Sequence, residues 1–175
     1  MKNDFNLCPM CGSKTIQNKN DRRWFCPDCG FDLYCNIAAA VGVIIQDSKH
    51  NILFEVRAKN PRKGYVAFPG GFIDADESAE EAVERECMEE IGVEVESQEL
   101  FDATATNIKW QMTEDTIEDL HHIGILFKVK LKSHNLKEDA DGLDSLGAEW
   151  KEIDSLTEET TSPFTWYALK KLGYK

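Results

Sequence analysis

A short acidic stretch bounded by glycines contains the residues whose types and spacing could do chemistry. It reads GGFIDADESAEEAVERECMEEIGVE and holds ten acidic residues and one arginine in 25 positions, 70–94. Ser78 and Glu81 have the spacing of a capping box, and Gly92 suits the position just after a helix end. The stretch is therefore predicted to form a helix over residues 79–91.

The predicted helix has an apolar stripe and, beside it, an acidic arc. Steps of about 100° per residue place Glu86, Glu89 and Glu90 within an arc of roughly 100°. Like charges at this spacing repel each other, and hard divalent cations such as Mg²⁺ prefer carboxylate oxygens as ligands. Cations held here could clamp a diphosphate and activate a water molecule. The alternative is a solvated acidic surface. The stripe consists of Ala79, Val83, Cys87 and Ile91.

The stretch resembles the signature of the Nudix hydrolase family. That signature is G-x5-E-x7-R-E-U-x-E-E-x-G-U, where U is aliphatic, and residues 71–93 match it with one departure, Cys87 at the first aliphatic position. The resemblance implies an α/β fold, namely an α/β/α sandwich with a mixed sheet. It also implies hydrolysis of a nucleoside diphosphate linked to another group, with Mg²⁺ or Mn²⁺ as the cofactor.

The same resemblance implies roles for individual residues. Arg85 and Glu77 would form an ion pair that fixes the loop and the glutamates, and together with Glu89 they form the predicted catalytic set. The general base stays open between Glu89 and an acidic residue outside the motif, Glu118 or Glu138. The expected Mg²⁺ or Mn²⁺ ligands are the Gly71 carbonyl, Glu86, Glu89 and Glu90.

Two C-P-x-C-G turns near the N-terminus predict a second metal site. They read CPMCG and CPDCG, and fourteen residues lie between Cys11 and Cys26. Four thiolates suit a tetrahedral Zn²⁺, and a site with no open position favours a structural ion. A redox motif or two unrelated thiol pairs are the alternatives, and Cys35 has no assigned role. The segment resembles a zinc ribbon, predicted over residues 1–35. Its ligands would be Cys8, Cys11, Cys26 and Cys29.

The remaining residues, 36–175, are predicted to form the hydrolase domain. Apolar, partly β-branched runs indicate strands at 37–46, 52–57 and 121–132, and extended segments follow Gly92. A short strand is expected at 149–153 after a polar loop at 133–148. A C-terminal helix is expected at 162–174, with Ser162 as its N-cap. Strands without regular βα alternation favour a mixed sheet with helices packed on it.

Overall charge argues against a nucleic-acid backbone as the main partner. The net charge is −12, and residues 1–35 carry five Lys or Arg against four Asp, or +1. Such a chain lacks the cation excess that displaces counterions from phosphates. No signal peptide or membrane span is visible, so we expect a cytoplasmic protein. The family resemblance makes a homodimer plausible.

The substrate is narrowed only to nucleotide-type molecules. A zinc ribbon before this motif resembles the arrangement in NADH pyrophosphatases, but their S-Q-P-W-P-F-P-x-S array is not met. The candidates are ADP-ribose, FAD, NAD(H) or an NDP-sugar. The alternatives are a non-catalytic sensor of such a ligand and an enzyme that removes a cap from RNA. The expected substrate contacts are Arg57, Arg62, Trp110 and Glu138, although the arginines could equally belong to a solvated loop and Trp110 to ordinary packing.

Overall fold

The chain folds into two units of very different size, Met1–Ile37 and Ala38–Lys175. The computed structural model describes residues 5–20, 22–58, 62–111, 117–136 and 145–175, with the backbone alone at 106–111, 117–120 and 145. Within these residues no helix is long and apolar enough to cross a membrane.

The smaller unit is an antiparallel three-stranded sheet with two cysteine turns. The strands are β1 (Gln17–Lys19), β2 (Arg23–Phe25) and β3 (Asp32–Tyr34), in the order β1-β2-β3. Trp24 is buried and meets the ring of Phe5 edge to face, with the ring centroids 5.3 Å apart. So small a sheet buries few side chains, which is why a bound metal ion is the expected source of its stability.

The described residues of the larger unit form two three-stranded sheets. In the first, with the order β4-β8-β7, β4 runs parallel to β8 and β7 runs antiparallel to it. The second has the order β6-β5-β9 and is antiparallel throughout. The strands are β4 (Ala38–Ile44), β5 (Ile52–Arg57), β6 (Val66–Ala67), β7 (Val95–Gln111), β8 (Ile117–Leu131) and β9 (Ser145–Lys151), and the helices are α1 (Ala79–Glu86) and α2 (Pro163–Lys171).

The strands bury both of their faces, one against each helix. Alternate residues of β4 belong to two cores: Val41 and Val43 pack with α1, and Ile44 packs with α2. Strand β8 divides in the same way, with Phe127 toward α1 and Leu126 toward α2. Strands covered on both sides read as continuous apolar runs. The predicted α/β/α sandwich with a mixed sheet is therefore confirmed.

The predicted helix over 79–91 has its predicted bounds, but its last turn is π-helical rather than α-helical. Ser78 Oγ accepts the Glu81 N–H at 3.2 Å and Glu81 accepts the Ser78 N–H at 2.7 Å, which confirms the capping box. Regular α-helix ends at Glu86, and Cys87–Ile91 is a π-helical turn in which the Gly92 N–H donates to the Cys87 carbonyl at 3.0 Å. A periodicity argument assumes α-helical steps and does not detect such a turn.

Strand boundaries are the other point of difference. Strand β9 begins at residue 145, inside the region predicted as a loop, because its residues pair with β5, with Ala148 opposite Glu55. Strand β8 begins at residue 117 rather than 121, since it pairs with β7 along its whole length. The polar residues at these ends give no local strand signal, so pairing with a partner strand decides their conformation.

Candidate active site and cysteine cluster

The loop that begins the motif lies against the edge of β4. The Val41 N–H donates to the Gly71 carbonyl at 2.8 Å, and the Val43 N–H donates to the Pro69 carbonyl at 2.9 Å. A Cβ at Gly70 would lie 2.3 Å from the Val41 carbonyl oxygen, and one at Gly71 would lie 2.4 Å from Glu86 Oε1. At Gly70 only glycine fits, because the conflict is with the backbone of β4, whereas a side chain at Gly71 would displace the Glu86 carboxylate.

The Arg85 side chain joins the loop to the acidic residues. Its Nε and Nη2 bind both oxygens of Glu77, at 3.0 Å and 2.6 Å, and Nη2 also donates to the Phe72 carbonyl at 3.0 Å. Its Nη1 donates to Glu86 at 2.7 Å and to Glu89 at 3.2 Å. A guanidinium has five N–H donors, so every one of them is used. The fork geometry requires arginine at this position.

The three glutamates occupy different environments. Glu86 is buried, whereas the Glu89 side chain is 59% exposed. Glu90 is partly buried and accepts the Gly70 N–H at 2.8 Å. Burial raises the pKa of Glu86, although the neighbouring Arg85 opposes that rise. Burial, and next the charge of Glu55, raise the pKa of Glu90 to about 10.

These residues fit a hard divalent cation. Carboxylate oxygens are the ligands that Mg²⁺ and Mn²⁺ prefer, and a backbone carbonyl is a suitable addition. The Gly71 carbonyl already accepts one hydrogen bond and has a second lone pair. The ligand oxygens of Glu86, Glu89 and Glu90 do not all lie within 4.8 Å of one another, a closeness that among the described residues only the cysteines reach. A cation would have to draw them together in competition with Arg85 and with protons.

A buried acidic residue outside the motif joins this site. Glu55 lies in the middle of β5, is 5% exposed and is in hydrogen-bond contact with Glu90. No role for Glu55 was predicted from the sequence. A signal was present, because an acidic residue interrupts the apolar run of the strand ILFEVR. Since carboxylates are rarely buried without a compensating group, the position of Glu55 requires an explanation.

A cavity opens beside the glycine loop. Its volume is about 160 Å³, and its lining includes Glu55, Gly70 and Gly71. Three aromatic rings contribute to it: the His122 ring lies 6.3 Å from that of Phe72 and 6.2 Å from that of Phe164, both edge to face. Burial lowers the pKa of His122, which favours its neutral form.

The aromatic residues of the cavity were not predicted as substrate contacts. Nothing in the local sequence marks Phe72 or Phe164 as a substrate contact, and His122, at the start of a predicted strand, fits a structural residue. Phe164 rests on small residues, since a Cβ at Gly124 would lie 2.2 Å from its ring. Phe72 is 55% exposed, so its ring is accessible at the edge of the site.

The predicted substrate contacts are only partly brought together. Arg57 and Arg62 both line the cavity, and the Arg62 guanidinium lies 5.6 Å from the centre of the Tyr65 ring. The backbone of Trp110 pairs with Glu118 near the end of the β7–β8 hairpin, and the side chains of both residues lie outside the described part. Glu138 lies outside the described residues altogether.

The four cysteines of the smaller unit form a compact cluster. Their Sγ atoms all lie within 4.8 Å of one another, with 3.6 Å between Cys8 and Cys29 and 3.8 Å between Cys11 and Cys26. Thiolates about 2.3 Å from a tetrahedral Zn²⁺ lie about 3.8 Å apart, so the spacing fits that ion. The turns repeat each other, since the Gly12 and Gly30 N–H groups donate to Cys8 and Cys26. Cys35 lies outside this cluster.

Comparison with known families identifies the larger unit. The family model described as NUDIX domain matches residues 36–172. Among solved structures, a NUDIX hydrolase from Nitrosomonas europaea is similar over 94% of this chain and 88% of its own, with a TM-score of 0.68 and 21% identity. The NUDIX domain of Shewanella oneidensis NrtR, complexed with ADP ribose, is similar over 85% of this chain and 91% of its own, with a TM-score of 0.63 and 15% identity.

Two curated relatives align over about half of the chain. The NAD-capped RNA hydrolase NudC of Pseudomonas aeruginosa is 33% identical over 91 residues, which are 51% of this chain and 31% of NudC. The ADP-ribose pyrophosphatase of Methanocaldococcus jannaschii is 44% identical over 82 residues, which are 46% of this chain and 44% of that protein. The chain thus aligns with less than half the length of either relative.

Replacing Arg85 by lysine tests whether the guanidinium organises the carboxylates. An ammonium group cannot reproduce five donors in a fork, so we expect Arg85→Lys to lower the affinity for Mn²⁺ by tenfold or more, measured by titration calorimetry. Arg23→Lys is the matched control, because Arg23 pairs with Asp32 in the smaller unit. Equal Mn²⁺ affinity in both variants would contradict the assigned role of Arg85.

The cysteine cluster is tested by metal content. We expect one equivalent of zinc in the purified protein by elemental analysis and a loss of that zinc in Cys11→Ser, because a three-thiolate site binds the ion more weakly. Cys35→Ser is the control and should keep its zinc. Zinc loss in the control, or its full retention in Cys11→Ser, would refute this ligand assignment.

Proposed function

The chain belongs to the Nudix hydrolase family, and on this basis we propose that it cleaves the pyrophosphate linkage of a nucleoside diphosphate derivative with the help of a divalent cation. The observation that carries the proposal is the gathering of Glu86, Glu89 and Glu90 around Arg85 and the glycine loop. This loop borders a cavity that also contains arginine side chains. Anionic phosphates between the carboxylates and the arginines would need a cation on the acidic side.

Each group in the site has a chemical task under this proposal. Glu86, Glu89, Glu90 and the Gly71 carbonyl hold Mg²⁺ or Mn²⁺. When bound, the ion polarises the phosphate and lowers the pKa of a coordinated water. Arg85 keeps Glu86 and Glu89 in place, and Glu77 holds Arg85 from the opposite side. Glu89 is the exposed carboxylate of the set and therefore the best placed to accept a proton from water.

The cavity supports a substrate with a planar ring. Cavities of about 150 Å³ hold one benzene-sized ring, so a volume of about 160 Å³ suits one ring rather than a whole nucleotide. Phe72 and Phe164 offer apolar faces and edges, and neutral His122 lies between them. Arg57 and Arg62 line the same cavity and would bind the phosphate that follows the ring. Dinucleotide-type substrates combine a planar ring with adjoining phosphates.

Two other functions are supported by particular relatives. Similarity to proteins named NAD-capped RNA hydrolase favours a capped RNA as a substrate that carries the same pyrophosphate linkage. The ADP ribose complex of the Shewanella oneidensis protein makes binding of such a ligand, without its cleavage, the second alternative. In this chain the motif keeps all three glutamates, which favours catalysis, because a protein that only binds the ligand has no need of three metal-binding glutamates.

We further propose that residues 1–35 form a zinc ribbon with a structural ion and that 36–175 form the catalytic domain. The closed set of four thiolates leaves no ligand position for water, so hydrolysis would belong to the carboxylate site. Depletion of zinc should therefore affect the folding of the smaller unit rather than the chemical step.

A substrate panel tests the main proposal. We expect a nucleoside monophosphate product from at least one of ADP-ribose, NAD(H), FAD, an NDP-sugar and NAD-capped RNA, in the presence of Mg²⁺ or Mn²⁺, detected by chromatography. Glu89→Gln and Glu90→Gln should reduce the rate by about a hundredfold or more, because the carboxylates hold the ion that drives the chemistry. Glu99→Gln, on strand β7 outside the site, is the control.

Each outcome of the panel is decisive. Tight binding of ADP-ribose without any product would favour the ligand-binding alternative. Cleavage of NAD-capped RNA but not of free NAD would favour an RNA substrate. Wild-type turnover in the Glu90→Gln variant would refute the proposed metal site.

Truncation of an exposed aromatic residue tests the ring site. We expect Phe72→Ala to raise KM for the best panel substrate by about tenfold, since stacking of an aromatic ring contributes about 1–3 kcal/mol per base. The melting temperature should change little because Phe72 is largely exposed. Leu100→Ala is the matched control, as Leu100 is 57% exposed on β7. An unchanged KM in the Phe72 variant would exclude a ring contact there.

A further inference from the structure

Glu55 occupies a position in β5 that is unfavourable for a carboxylate. The preceding residues of the strand, Ile52 to Phe54, are completely buried, and Glu55 itself is 5% exposed. Its strand neighbours are small and apolar, Ala67 on β6 and Ala148 on β9. Transfer of a carboxylate from water to such surroundings is costly unless a positive charge or several donors compensate.

The direction of the Glu55 side chain is set by its contacts. It is in hydrogen-bond contact with Glu90, and it lines the same cavity as Gly70 and Gly71. Glu90 is also held by the Gly70 N–H at 2.8 Å. Glu55 therefore approaches Glu90 from the strand, on the side of the cavity where the substrate phosphates are proposed to lie.

We propose that Glu55 is a ligand of the same divalent cation as Glu90, supplied from β5 and outside the family motif. The inference rests on the proposed function, because it concerns the cation of that site. A ligand from β5 would complete the coordination on the cavity side, whereas Glu86 and Glu89 are tied to Arg85 on the other. Two ionised carboxylates at close range repel each other. A single cation bound to both offsets that repulsion and makes their ionised forms favourable.

Two other roles of Glu55 predict different behaviour. If Glu55 only positions Glu90 through a hydrogen bond, glutamine would serve as well and would avoid the repulsion between two carboxylates. If Glu55 serves mainly to hold Arg57 or Arg62 at the cavity, its replacement would weaken substrate binding and leave cation binding unchanged. Cation affinity in the absence of substrate therefore separates the proposal from both alternatives.

The test compares Mn²⁺ binding by electron paramagnetic resonance in the substrate-free protein. We expect Glu55→Gln to bind Mn²⁺ at least about tenfold more weakly than the wild type, with Glu90→Gln as the reference for a lost ligand. Glu149→Gln is the matched control, because Glu149 is an exposed glutamate on the adjacent strand β9 that pairs with Lys151. Equal affinity in the Glu55→Gln and Glu149→Gln variants would overturn the proposal.

A second measurement needs no variant and covers the case in which Glu55→Gln fails to fold. In wild-type crystals soaked with Mn²⁺, we expect an anomalous-difference peak about 2.2 Å from a Glu55 oxygen. A peak close to the motif glutamates but well beyond that distance from Glu55 would show that Glu55 is not a ligand. It would leave the proposed metal-dependent function intact. A wild-type protein that binds no Mn²⁺ would instead contradict the proposed metal-dependent function.

Discussion

The guanidinium of Arg85 is the constraint on which the candidate site depends. It uses all five of its donors, and these reach the Glu77 carboxylate, the Phe72 carbonyl, Glu86 and Glu89. Those acceptors come from the loop and from two turns of helix. One side chain therefore holds in place three carboxylates that would otherwise repel each other. Glu77 in turn accepts the Asp74 N–H at 2.8 Å and stabilises the turn before the helix.

The opposite side of the site lacks such a cation among the described contacts of Glu90. Glu90 and Glu55 come together there from a π-helical turn and from a buried strand, and burial keeps the pKa of Glu90 high. The repulsion between these two carboxylates is unfavourable, and a bound divalent ion can relieve it. Under the proposed function, metal affinity and stability are linked, because the groups that make the metal-free fold less stable are those proposed to bind the ion.

Much of the site was predictable because its residues lie close together in sequence. Gly71, Glu77 and Arg85 fall within one short motif, and local rules such as the capping box and the cysteine turns operate over a few residues. Glu55 and His122 could not be assigned in the same way, because they lie on β5 and β8, outside the motif. Phe72 follows Gly71 within the motif, but at a position where the motif specifies no residue type. The π-helical turn was missed because the 3.6-residue period assumes that the α-helix continues.

The sequence by itself determined which groups are available for chemistry: carboxylates spaced for a predicted cation site, four thiolates spaced for a predicted zinc site, and apolar runs suited to strands buried on both faces. Only the tertiary structure decided which other residues lie next to these groups. Pairing of β5 with β6 and β9 brings Glu55 to Glu90, and pairing of β4 with β8 brings His122 toward Phe72 and Phe164. Spacing along the chain encodes contacts within one helix or turn, whereas contacts between strands depend on sheet register and on packing of the whole domain.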